Sequence, residues 1–225
     1  MDYIALAIPV FFLLIGVELV AARVLERPSY RLSDSFGDLS CGVLQQVAEV
    51  FLKTALFAGY AGLYSRYRLF EIPTNAASAW VACFLGQDFL YYWFHRAMHG
   101  RWLYKRIHGW HHRIVTPWAI TGHYMHPLEY NLTGAVALIG PLLLGSHLVV
   151  VWLWFCFRQW EAAEGHCGYD FPWTPTHFLP GNDGAVHHDV HHARVRGNYA
   201  GFLTIWDGVF GTYARGYAEE LAARR

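Results

Sequence analysis

Charge is scarce in this 225-residue chain: Asp, Glu, Lys and Arg make up 15% of it, against roughly 25% in ordinary soluble domains. The 17 basic and 17 acidic residues cancel when histidine is neutral, so nothing in the totals points to nucleic acid as a partner. Cysteine is sparse too. Cys41, Cys83, Cys156 and Cys167 form no CxxC pair, and the first three lie in apolar stretches. They read as small buried hydrophobes rather than a disulfide framework. Internal repeats, low-complexity tracts and Gly/Ser-rich linkers are missing as well. A single domain over 1–225 follows, with N-terminal membrane helices in 1–75 and a histidine-rich region in 76–215.

What is present is apolar: 55% hydrophobic and 17% aromatic residues. Four regions match the ~20 helical residues that a bilayer core needs. The first, Tyr3 to Ala22, has only Glu18 as an ionisable group. It is led by Asp2 rather than a positive charge and no cleavage site follows, so it reads as a retained helix rather than a signal peptide. The second, Leu39 to Tyr64, carries Gln45, Gln46, Glu49 and Lys53, which must face other helices, with Glu49 and Lys53 spaced to pair. The third, Ala76 to Phe94, runs straight into histidines. The fourth, Leu132 to Phe157, is interrupted at Gly140-Pro141 and Gly145-Ser146-His147 and reads as a helical hairpin turning near Gly145 to His147. The aromatic residues suit membrane–water interfaces. The expected fold class is therefore all-α: an integral membrane helical bundle with a histidine-rich cap. Arg23, Arg27 and Arg31 after the first helix outweigh Arg66 and Arg68 after the second, which puts the first loop in the cytoplasm. Counting onward places the cap there too, among Arg96, Arg101, Lys105, Arg106 and Arg113.

Fourteen histidines supply the chemistry. They cluster as His95-x3-His99, His108-x2-His111-His112 and His187-His188-x2-His191-His192, and a helix brings i, i+3 and i+4 onto one face. Four donors saturate a tetrahedral zinc, so eight or more converging imidazoles point to two metals. The ligand candidates are His95, His99, His108, His111, His112, His166, His188, His191 and His192, with His187, His123 and His126 behind them. His188-x2-His191-His192 copies the second cluster and leaves His187 spare. His147 and His177 read as structural. Asp88, Glu164 and Asp189 are candidate outer carboxylates that fix an imidazole. Asp88 is equally an ordinary helix residue packing on Arg96, and Asp189 a charge favoured near a helix N-terminus.

The stretch from Asp88 to Tyr213, and within it His166-Cys-Gly-Tyr-Asp-Phe-Pro-Trp173, His187-His-Asp-Val-His-His192, Gly197-Asn-Tyr-Ala200 and Trp206-Asp-Gly-Val-Phe-Gly-Thr212, resembles the fatty acid hydroxylase and sterol desaturase superfamily. It looks most like the C-4 methylsterol monooxygenases, and cholesterol 25-hydroxylase is similar over the same stretches. The resemblance implies a membrane-bound, O2-dependent di-iron monooxygenase, with the nine histidines as ligands and 76–215 as the catalytic region. Zinc is the substitute metal. It further implies a sterol or other lipid substrate, electrons from NAD(P)H through cytochrome b5 or an equivalent carrier, and a cytosolic-facing site. The membrane would be the endoplasmic reticulum in a eukaryote or the inner membrane in a bacterium. Desaturation or aldehyde decarbonylation are rival outcomes of the same chemistry, and a zinc-binding membrane scaffold or metal transporter is the rival of another class. Clusters at helix ends, rather than along a mid-membrane path, argue against a transporter.

Overall fold

The computed structural model describes residues 77–143, 148–168, 170, 171 and 173–224, together with isolated helical positions between 13 and 66. The first two expected membrane regions, Cys41, His147 and the turn at Gly145 to His147 lie largely or wholly outside the described residues. Among those described, all regular structure is helical. Helix α1 (Ala77–Met98) is followed by α2 (Arg101–Arg106), 3-10 segments at His108–Arg113 and Ala119–His123, and α3 (Pro127–Leu143). Then come α4 (Leu148–His166), the single turn α5 (Pro175–Phe178), α6 (Gly184–Arg194), α7 (Ile205–Phe210) and α8 (Tyr217–Arg224).

The expected hairpin region is two helices, α3 ending at Leu143 and α4 starting at Leu148. They run in opposite senses. Glu129 at the start of α3 meets His108, and the far end of α4 packs on the 3-10 segment just before α3, where Gly122 lies against the His166 ring. No described helix is long and apolar enough to cross a membrane. The reason is visible in each: α1 carries Gln87, Asp88, His95 and Arg96, α3 is only 17 residues long, and α4 carries Arg158, Glu161 and Glu164 in its last turns.

Small residues set how closely the cap packs. Ala119, Ala163, Cys167 and Ala185 form one buried cluster between the end of α4, the Ala119–His123 segment and α6. Without bulk there, α4 and α6 approach until His166 and His188 touch. A second cluster of Val186, Val190, Ala214 and Tyr217 seats α8 on the opposite side of α6. Phe84 of α1 meets Trp154 and Phe157 of α4 and Phe202 edge-on, tying the hairpin to the C-terminal loop.

Two buried carboxylates hold that loop. Asp88 accepts the backbone N–H of Phe202 and Leu203, each at 3.0 Å, and the Trp206 indole N–H at 2.8 Å. Asp207 accepts the N–H of Tyr199 and Ala200, the Thr212 hydroxyl and the His187 imidazole. A buried charge is tolerable only when hydrogen-bonded this fully. Helix α6 stops at Val195, whose φ of 66° is an outlier for a β-branched residue. Gly197 follows at φ 91°, where a Cβ would stand 2.7 Å from Ala214 N, so only glycine fits.

Candidate metal centre

Nine histidines from four elements point their rings inward and separate into two groups. His95, His99, His108, His112 and His191 form one; His111, His166, His188 and His192 form the other, with the ligand atoms of each group within 4.8 Å of one another. Eight of the nine are buried and His99 is half-buried. The two His-x2-His-His clusters divide in opposite senses. His108 and His112 go to the first group and His111 to the second, whereas His188 and His192 go to the second and His191 to the first. The groups abut, with the His112 and His192 rings stacked at 4.6 Å.

Each group contains a closed ring of Nε2 atoms. In the four-histidine group, Nε2 separations run His111–His166 3.3 Å, His166–His188 2.9 Å, His188–His192 3.2 Å and His192–His111 3.0 Å. In the five-histidine group, His108–His99 is 2.9 Å, and His99–His191, His191–His112 and His112–His108 are each 3.1 Å, with His95 attached to His108 at 3.2 Å. The His111–His166 and His111–His192 contacts are not ordinary hydrogen bonds. The Nδ1 atoms of His95, His111, His166, His191 and His192 donate to the carbonyls of Tyr199, Tyr124, Ala162, Gly197 and Ile114 at 2.7–3.2 Å. A carbonyl only accepts, so in the neutral ring Nε2 is a bare lone pair. His111 thus faces both His166 and His192 lone pair to lone pair, which is repulsive unless a cation lies between. Burial rules out protonation as the remedy: it pushes His95 and His166 down to about 4 and His192 to about 3. Metal–imidazole bonds of ~2.0–2.1 Å place neighbouring donors roughly 2.9–3.4 Å apart, which matches the observed separations. The donor set therefore fits two metal ions.

The outer contacts differ from those expected. Asp88 holds the Phe202–Trp206 loop and touches no imidazole. Glu164 accepts the Thr176 hydroxyl, Glu161 pairs with Arg158, and Asp189 is buried on α6 outside both groups. A carboxylate that does reach a candidate ligand is Glu129, 2.5 Å from His108 Nδ1. Burial pushes Glu129 up to about 8 and His108 well below its ordinary value, so without a cation both partners are neutral. A cation on Nε2 favours the reverse, an N–H donated to a carboxylate. Nothing in the spacing pointed to Glu129; the only signal was an acidic residue at the start of an apolar helix.

His187, His123 and His126 stand outside both groups. His187 meets Asp207 at 3.0 Å. His126 Nδ1 accepts the Leu128 N–H at the start of α3, and His177 pairs with Asp170 at 3.1 Å. The second cluster is also a 3-10 segment rather than the expected α-helix. It is confined between Ile107, at φ −127° and ψ −73°, and extended Ile114.

An all-helical cap that gathers nine imidazoles into two groups, each able to hold a metal ion, defines a class of candidate metal-binding proteins. Within that class the chain belongs to the fatty acid hydroxylase family, whose model matches residues 80–212. It is similar to methylsterol monooxygenase 2-2 of Arabidopsis thaliana, 44% identical over 132 residues, which cover 57% of this chain and 50% of the relative. The very-long-chain aldehyde decarbonylase GL1-11 of Oryza sativa subsp. japonica is 45% identical over the same coverage. Methylsterol monooxygenase 2-1 of Arabidopsis thaliana is 40% identical over 144 residues, covering 57% of this chain and 53% of the relative. The chain spans about half the length of the curated relatives it matches. No solved structure matches it.

Proposed function

We propose that the chain is a membrane-bound, O2-dependent non-haem di-iron monooxygenase that hydroxylates an unactivated C–H bond of a hydrophobic lipid, with a methylsterol oxidised at its C-4 methyl as the leading substrate. The observation that carries this reading is the pair of Nε2 rings: facing lone pairs call for a cation in the four-histidine group, and five Nε2 atoms gathered at metal-ligand spacing offer a second site beside it. Imidazole donors suit iron, zinc, copper and nickel alike. Iron is chosen because zinc has no redox chemistry, and the similar proteins include monooxygenases. His95, His99, His108, His112 and His191 would hold one ion, and His111, His166, His188 and His192 the other. Bound iron supplies oxygen activation and one-electron chemistry.

The chain's own residues supply orientation and exclusion of water. Five backbone carbonyls lock His95, His111, His166, His191 and His192 in the tautomer that presents Nε2 inward, so little reorganises in those rings when metal binds, and Glu129 would take the His108 Nδ1–H once a cation sits on Nε2. The buried rings keep the site dry, which protects a reactive centre. Val81, Leu85, Phe89 and Trp93, spaced one turn apart on α1, are 36–56% exposed, and this apolar stripe supports contact with lipid. Electrons would come from NAD(P)H through cytochrome b5 or an equivalent carrier, with the histidine layer on the cytoplasmic side.

A second reading, aldehyde decarbonylation, is favoured by one observation: the rice decarbonylase is as similar as the sterol enzyme. The test is oxygen uptake by purified, iron-loaded protein with a lipid panel, and labelled sterols fed to expressing cells with a His191→Ala control. A product heavier than substrate by one oxygen supports hydroxylation, and a shortened alkane supports decarbonylation. Metal bound without oxygen uptake on any lipid would favour a scaffold.

A further inference from the structure

Between Asp88 and Glu129 the chain has no acidic residue, yet it has Arg96, Arg101, Lys105, Arg106 and Arg113. Three of the guanidiniums lie over tryptophan rings: Arg96 over Trp93 at 5.3 Å, Arg106 over Trp102 at 4.9 Å and Arg113 over Trp110 at 5.5 Å. These indoles are not core residues, being 42%, 60% and 41% exposed. Helix α2 buries none of its side chains, and among the described residues no carboxylate pairs with Arg101, Lys105, Arg106 or Arg113. Exposed apolar area and positive charge with no carboxylate partner among the described residues thus coincide in the Trp102–Arg106 and Trp110–Arg113 pairs.

One medium satisfies both. The headgroup layer of an anionic bilayer takes up amphipathic indole rings, and its phosphates accept guanidinium N–H groups. An acidic soluble protein would match the charge but not the apolar stripe of Val81, Leu85, Phe89 and Trp93, which runs along α1 to the Trp93–Arg96 pair. We propose that α2 and the His108–Arg113 segment form a binding surface for anionic lipid headgroups, with Arg106 and Arg113 on phosphate and Trp102 and Trp110 in the interface. The proposal rests on the membrane reading above. Its consequence is positional. The 3-10 segment that turns Trp110 and Arg113 outward turns His108, His111 and His112 inward, so a bilayer gripping one face sets the metal centre at the depth where a lipid enters.

The test titrates the purified full chain with phosphatidylglycerol and with phosphatidylcholine, counting bound lipid by native mass spectrometry. An Arg106→Gln/Arg113→Gln pair and an Arg106→Lys/Arg113→Lys pair are compared with the unaltered chain. Each lost charge should weaken phosphatidylglycerol binding about 5-fold, and the Gln pair about 25-fold. Phosphatidylcholine binding should stay unchanged, and the Lys pair should keep most of the preference. Equal binding of the two lipids by the unaltered chain, or a preference that survives the Gln pair, overturns the proposal. So does a Gln pair that keeps its lipid preference but loses affinity for an acidic electron carrier. Alkaline carbonate extraction separates the two claims: release of the chain overturns the membrane reading as well, whereas an embedded chain without lipid preference overturns only the headgroup surface.

Discussion

Asp207 Oδ2 receives the His187 imidazole at 3.0 Å, and through Oδ1 the same carboxylate fixes the Tyr199 N–H, whose residue offers its carbonyl to His95 Nδ1 at 2.8 Å. A residue outside both metal groups therefore sets the aim of one inside. Asp207→Asn keeps the shape but replaces an all-accepting oxygen with a donor facing N–H groups. We expect a loss of about 3 kcal/mol of stability, read as a lower melting temperature, together with reduced metal content. Unchanged melting would show that the loop is held by other contacts.

The pH dependence of that loss follows from the same residue. Burial alone would raise the Asp207 carboxyl, but the His187 hydrogen bond and charge, with Thr212 and the Ala200 N–H, outweigh it and hold Asp207 below its ordinary value of 3.8. A depressed carboxylate contributes stability that is fully present above the unfolded pKa and lost as pH falls through the folded one. On the acid side, the stability difference between the unaltered chain and Asp207→Asn should shrink as pH falls below about 4. A difference that grows on acidification would contradict this assignment.

Glu129→Gln tests the other carboxylate. Losing a buried partner of a ligand imidazole should lower metal affinity about 10- to 100-fold while leaving the helices intact. Competition with a chelator measures the affinity and circular dichroism the helicity. Equal affinities would mean that Glu129 serves only packing.

Gly197→Ala probes the backbone behind His191. A Cβ there meets Ala214 N at 2.7 Å and Cα at 2.8 Å at a φ of 91°. The Gly197 carbonyl must then move off His191 Nδ1. We expect destabilisation of about 2 kcal/mol or more, with weakened metal binding in the five-histidine group.

Much of the site was legible because histidine spacing is a local signal. The nine imidazoles singled out by spacing and resemblance are the nine that the fold gathers. Of the two interruptions in the fourth apolar region, Gly145-Ser146-His147 falls between α3 and α4, whereas Gly140-Pro141 lies within α3. What was not legible depends on contacts distant in sequence. Glu129 lies 21 residues from His108, and Asp88 lies 114 to 118 residues from the groups it binds, so no helical period links them. The allocation of His111 and His191 to opposite groups was hidden for the same reason: adjacent residues point apart, and only the packing of α6 against the His108–Arg113 segment decides which partners each meets.

The central claim is that two cations occupy two distinct imidazole groups, and metal analysis of the purified chain tests it most directly. The account predicts two metals per chain, one per chain in His188→Ala/His192→Ala, and two, more weakly held, in His99→Ala, because the five-histidine group keeps four donors. One metal in the unaltered chain, or a content indifferent to His188 and His192, would contradict it.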